Sequence, residues 1–160
     1  MKPFLRTSLL FLVLFVSPAL SSAGEALIQL EVFSLTKVRA ARLLTDERLR
    51  GNPAAVLKDL GEMKERNEAA LVDSPSLRGA LPLNTQVRGK ISVEVDVGDG
   101  GNGAMDLNIF VQTGTPGAVT SLRTAFRAQN GVPKFLGTLE PLDPAEKNNT
   151  WIVFLRAQQK

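Results

Sequence analysis

The chain has 160 residues with 19 basic and 16 acidic side chains, a formal charge of +3, and no cysteine, histidine or tyrosine. That composition excludes disulfide bridges, zinc centres built from Cys and His, and acid–base catalysis by histidine. The near balance of charge leaves no electrostatic footprint for nucleic acid.

Residues 1–23 read as a cleavable export signal. Lys2 and Arg6 give a positive start, Leu9 to Val16 a short apolar run, Pro18 a break, and Ser21-Ser22-Ala23 the small residues a signal peptidase reads. A spanning helix needs about 20 apolar residues, which sets the cleaved signal ahead of an uncleaved anchor. The expected mature chain begins at Gly24 and works in the periplasm or outside the cell. It meets a membrane only through the signal, during export. Residues 24–160 are one domain's worth of chain.

From Ala26 to Phe33 apolar and polar side chains alternate, which predicts a half-buried strand. Thr36 is placed to cap a helix running through Val38, Ala41 and Leu44 towards Leu49, with Gly51 as its end. Asn52-Pro53 starts a second helix, Asn52 as N-cap and Pro53 where its missing N–H does no harm. Val56, Leu57, Leu60 and Met63 share one face of that helix, and Asn67 suits a left-handed stop. Ala69–Val72 is a short apolar run, and Leu83–Val87 is expected to be a further short strand. The clearest strand carries Ile91, Val93, Val95 and Val97, and a return strand carries Met105, Leu107, Ile109 and Val111, with a glycine-rich turn between them. Leu122, Thr124, Phe126 and Ala128 then face one side, with Arg123 and Arg127 opposite. Asn130-Gly131 signals a hairpin into a strand at Phe135–Leu139. Glu140–Asn149 is a polar loop. Trp151, Val153 and Leu155 on one face, and Ile152 and Phe154 on the other, make the final strand apolar all round, as befits a central or interface strand. The expected fold is α+β: one N-terminal strand, a helical pair, then an antiparallel sheet of hairpins.

The patterns that resemble chemistry are weak. Gly98-x-Gly100-x-x-Gly103 matches a dinucleotide fingerprint as text, but the stretch after Gly103 alternates like a strand and opens no helix to hold a pyrophosphate. Asp96, Asp99, Asn102 and Asp106 surround the same turn with oxygens, without the spacing of a calcium loop; it reads as a solvated turn. Glu94 and Asp106 are candidates for neighbours across the hairpin, yet paired carboxylates need a cleft that no residue pattern indicates. Ser with Lys90 or Lys134 carries no signature of an activated nucleophile. Asn148-Asn149-Thr150 would accept a glycan only in a eukaryotic host. No catalytic residue, metal ligand or cofactor-binding residue is assigned.

Four stretches carry a family resemblance. Ala70-Leu71-Val72-Asp73-Ser74-Pro75-Ser76-Leu77 resembles a strand ending in Ser-Pro. Gly89 to Val95 with Met105-Asp106-Leu107-Asn108-Ile109 resembles a long hairpin with an Asp-Leu-Asn-like return. Thr124 to Leu139 is similar to a hairpin turning at Asn/Asp-Gly, and Asn149 to Leu155 looks like a closing apolar strand. Together, over about residues 69–157, they resemble the C-terminal β domain of bacterial secretins, the outer-membrane gates of type II and type III secretion and pilus systems. The chain departs from that family in three places. Glu140–Asn149 replaces a proline- and glycine-rich gate segment, no Thr-Pro follows the last strand, and one strand with two helices stands where ring-building domains would be. The resemblance implies an isolated secretin-like domain, a non-catalytic structural or interaction module of the cell envelope with a protein partner or self-association. Its contact surface is expected at an exposed sheet edge or at the final strand, with Trp151, Ile152, Phe154, Arg123 and Arg127 as candidates. Two alternatives stand beside it. A periplasmic module for a glycan or small molecule would set an apolar pocket near Trp151. A histidine-free hydrolase would gather carboxylates, or Ser with Lys, in one cleft.

Overall fold

The computed structural model of the chain describes residues 24–115 and 117–160. The expected export signal lies outside the described residues. Nine strands and three helices follow one another: β1 (Glu25–Thr36), α1 (Lys37–Leu44), α2 (Arg48–Gly51), α3 (Pro53–Glu65), β2 (Ala70–Asp73), β3 (Ser76–Ala80), β4 (Leu83–Arg88), β5 (Ser92–Gly101), β6 (Ala104–Thr115), β7 (Ala118–Gln129), β8 (Lys134–Leu139) and β9 (Asn149–Gln159). A single 3-10 turn, Pro144–Glu146, interrupts the polar loop before β9.

β1 and β9 explain the architecture. They pair antiparallel over their whole length, from Ala26 opposite Gln159 to Thr36 opposite Asn149. β2 and β3 add in succession to the outer edge of β1, and β8 adds to the far side of β9, giving a sheet ordered β2-β1-β9-β8 with β3 also on β1. Side chains of a strand alternate between faces, and here both faces are covered. Ile28, Leu30, Val32, Trp151, Val153 and Leu155 point into a core shared with β5 and β6 of a second sheet, ordered β4-β5-β6-β7. Phe33, Leu35, Ile152 and Phe154 point the other way, onto Ala40, Leu49, Val56, Leu57 and Leu60 of the helices. The molecule is thus three layers: helices, a central sheet and an outer sheet. Burying a side chain of the size of Ile152 or Phe154 is worth about 1.5–3 kcal/mol, so the apolar run in β9 is what binds the layers together.

This arrangement corrects the α+β expectation. Strands make up 57 % of the described chain against 21 % for helix, and they form two antiparallel sheets, so the domain is mainly β. The cause is topological. The first strand does not stand apart with the helices; it lies beside the last one, and the helices are a partial cover on one face of their sheet. A further correction concerns Asn130-Gly131. β7 and β8 do not form a hairpin: β7 pairs with β6, and β8 pairs with β9 in the other sheet. The turn instead moves the chain between sheets, with Gly131 N–H donating to the Ala157 carbonyl at 2.7 Å. Leu122 of β7 crosses directly over Gly137 of β8, where a Cβ would come within 2.9 Å of its Cδ1.

The helical region is broken more than its sequence suggests. Thr36 makes no side-chain cap, α1 stops at Leu44, and α2 is one turn. Val38 and Leu44 are exposed, and Ala40 is the residue α1 buries. α3 obeys its signals: the Asn52 side chain accepts from Ala55 N–H, Pro53 starts the helix, and Asn67 has a φ of +57° beyond its end. Among the described residues no helix is long and apolar enough to cross a membrane.

Candidate functional site

The five residues expected at a contact surface separate into two groups. Trp151, Ile152 and Phe154 are 3 %, 0 % and 1 % exposed. Both edges of their strand are occupied, by β1 and by β8, so in this fold they are core. Arg123 and Arg127 are exposed on the outer face of the second sheet. Each is engaged with the strand beside it. The Arg123 guanidinium lies 5.6 Å from the centre of the Phe110 ring, its cross-strand partner. Arg127 donates through Nε and Nη2 to Asp106 at 2.9 and 3.2 Å. That hydrogen-bonded guanidinium holds the Asp106 carboxyl below its ordinary range.

The rest of this outer face is a ladder of polar pairs. Asn84 donates to Asp96, and Gln86 to Glu94 at 3.0 Å. Glu94 stands opposite Phe110, and Asp106 opposite Gly98 and Arg127. The register therefore keeps Glu94 and Asp106 from facing each other. At the glycine turn, Gly101, Asn102 and Gly103 all have positive φ, and Asp99 accepts from Gly101 N–H at 2.8 Å. Asp96, Asp99 and Asp106 thus each already hold a donor, and among the described residues no three Asp or Glu gather as metal ligands would.

A polar cluster around Glu146 was not legible in the sequence. It forms where the 3-10 turn lies against the open end of the two sheets. Glu146 accepts from the indole Nε1 of Trp151 at 2.8 Å and from Ser34 Oγ at 3.5 Å, and its other oxygen lies 3.7 Å from Lys90 Nζ. Lys90 also stands over the Trp151 ring at 5.8 Å. The side chain of Asp143 caps the turn by accepting from Ala145 N–H at 2.9 Å. Glu140, at the other end of the loop, accepts from Thr150 Oγ1 at 3.2 Å and pairs with Lys37 at 3.3 Å. Ser34 is 7 % exposed, and it and Lys90 meet through Glu146. The arrangement fastens a loop across the end of β9.

The remaining feature with a capacity for binding is the outer sheet's rim. β7, of 12 residues, pairs only with β6, and β4 pairs only with β5. Each leaves one row of backbone N–H and C=O groups without a strand partner among the described residues. Such edges are templates for another strand. Val119, 55 % exposed, lies on the β7 edge strand.

No protein-family model matches the sequence, and no curated protein matches it. Two solved structures are similar to it. Aeromonas hydrophila ExeD is similar over 86 % of this chain and 49 % of its own, with a TM-score of 0.50 and 12 % identity. The T2SS secretin XcpQ from Pseudomonas aeruginosa is similar over 87 % of this chain and 59 % of its own, with a TM-score of 0.45 and 12 % identity. The chain spans about half the length of these structures. At such identity the likeness to ExeD is one of fold.

Proposed function

We propose that the chain is a non-catalytic structural module of the bacterial cell envelope, exported to the periplasm, related to the C-terminal β domain of secretins, and working by holding protein partners or further copies of itself in a secretion or pilus assembly. The observation that carries this reading is that the two rim strands of the outer sheet, β7 and β4, each pair with a single neighbour, so that each keeps a row of backbone groups without a strand partner among the described residues. Strand addition at such an edge gives affinity through main-chain hydrogen bonds and register through alternate side chains. The shared fold with ExeD and the sequence resemblance to secretins point the same way. A glycan or small-molecule reading draws no support from Trp151, which is inside the core. A hydrolase reading draws none from Ser34, which is buried beside Glu146.

Size-exclusion chromatography with light scattering, together with crosslinking in an envelope preparation, tests the proposal. The protein is expected to form assemblies or defined crosslinks, and Val119→Lys is expected to weaken both while leaving the melting temperature in place, because a charge on an open edge opposes pairing. A strictly monomeric protein that also crosslinks to nothing would refute it.

A further inference from the structure

At one end of the stacked sheets, four distant segments of the chain bring Gly24, Asp99, Asn130, and Gln159 with Lys160 around an open cavity of about 610 Å³. Gln159 is fixed there by its backbone: its N–H donates to Asn130 Oδ1 at 2.9 Å, and its carbonyl accepts from Asn130 Nδ2 at 3.2 Å. Its side-chain oxygen is buried without a hydrogen-bond partner among the described residues. A buried acceptor of this kind is costly, and native structures supply it with a donor. The same carboxamide lies against Gly24, where a Cβ would sit 2.6 Å from Nε2 and 3.2 Å from Cγ. Gly24 is itself tied down, its carbonyl accepting from Leu81 N–H at 3.0 Å, while the next residue, Glu25, donates to the Lys160 carbonyl at 3.2 Å.

We infer that this cavity is a receptor for the protein's own processed N-terminus: the α-ammonium group of Gly24, set free by cleavage after Ala23, donates to the Gln159 side-chain oxygen, with the Asp99 carboxylate on the same cavity wall. The inference rests on the cleavage expected from the leader. A signal peptidase adds water across the Ala23–Gly24 peptide bond. The hydroxyl goes to the Ala23 carbonyl carbon, the hydrogen to the Gly24 nitrogen, and that nitrogen takes up a further proton at neutral pH. An amide with one N–H becomes an ammonium with three, beside an acceptor that has none. The absence of a side chain at position 24 is what makes room for the carboxamide, whose Nε2 lies 2.6 Å from where a Cβ would be.

The full chain, expressed with its leader in a bacterial host and purified after export, tests this. Its intact mass is expected to place the first residue at Gly24. A second chain, with Ser21–Ala23 duplicated so that cleavage leaves three residues ahead of Gly24, is expected to melt about 3 °C lower, the shift that loss of one hydrogen bond of ordinary strength produces in a domain of this size. In Gln159→Leu versions of both, that difference is expected to vanish. An exported protein starting elsewhere, equal melting temperatures for the two starts, or a difference that persists in Gln159→Leu would each overturn the inference.

Discussion

Replacing Glu146 with alanine isolates the fastening of the loop across β9. The substitution removes the acceptor of the Trp151 indole N–H, now at 2.8 Å, from a residue that is 3 % exposed. Leaving a buried donor unpaired costs about 1–3 kcal/mol. The 3.5 Å contact with Ser34 is long and adds little. The 3.7 Å ion pair with Lys90, whose side chain is largely exposed, adds at most about 1 kcal/mol. The expected total is about 2–3 kcal/mol, a drop in melting temperature of about 6–9 °C. Glu146→Gln keeps an oxygen for the indole and for Ser34 and removes only the charge, so it is expected to cost about 1 kcal/mol or less. Trp151 is the single tryptophan, so urea and thermal unfolding followed by its fluorescence read both the stability and the environment of the bond. Equal costs for alanine and glutamine, or an alanine variant within about 0.5 kcal/mol of the parent, would refute the assignment of Glu146 as the fastening group.

At Gly114 φ is +136°, and a Cβ would overlap the Ala118 carbonyl oxygen; Gly114→Ala is expected to lower stability by about 3 kcal/mol in denaturant titration. Arg127 holds the folded-state pKa of Asp106 below its unfolded value. The pair therefore contributes stability above the unfolded carboxylate pKa of about 3.9 and loses it as pH falls through the folded value. Thermal melts from pH 7 down to pH 2 are expected to show a shallower acid decline in Asp106→Asn than in the parent. Millimolar calcium is expected to leave the melting temperature unchanged, because Asp96, Asp99 and Asp106 already accept from Asn84, Gly101 and Arg127; a rise in melting temperature with calcium would contradict that assignment.

What the sequence made legible was local. The hairpin of β5 and β6 could be read because Val93, Val95, Val97, Met105, Leu107, Ile109 and Val111 alternate without interruption, and all are buried in the structure. Asn52-Pro53 and Asn67 acted through their own backbone geometry, so α3 could be bounded from them. The apolar character of β9 suited a central or an interface strand, and the structure sets it centrally, between β1 and β8. It could not tell that the two greasy faces meet two different layers and not a partner, which is why Trp151, Ile152 and Phe154 looked like a contact surface. Asn130-Gly131 misled for a related reason. A turn dipeptide sets a few torsion angles, while the choice between β7 and β9 as the neighbour of β8 is made by contacts many residues away. β3 escaped notice because Leu77 is its only buried residue and its pairing runs to β1. Glu146 sat in a polar loop that carries no periodic signal, and only the folding of that loop over Trp151 gives it a role.

The union of β1 with β9 has a consequence for the order of events in the cell. The middle layer needs residues 25–36 and residues 149–159 together, so it cannot close while the tail is still inside a ribosome or a translocation channel. Such distant pairing slows folding and keeps the chain loose until its last strand is free to join the first.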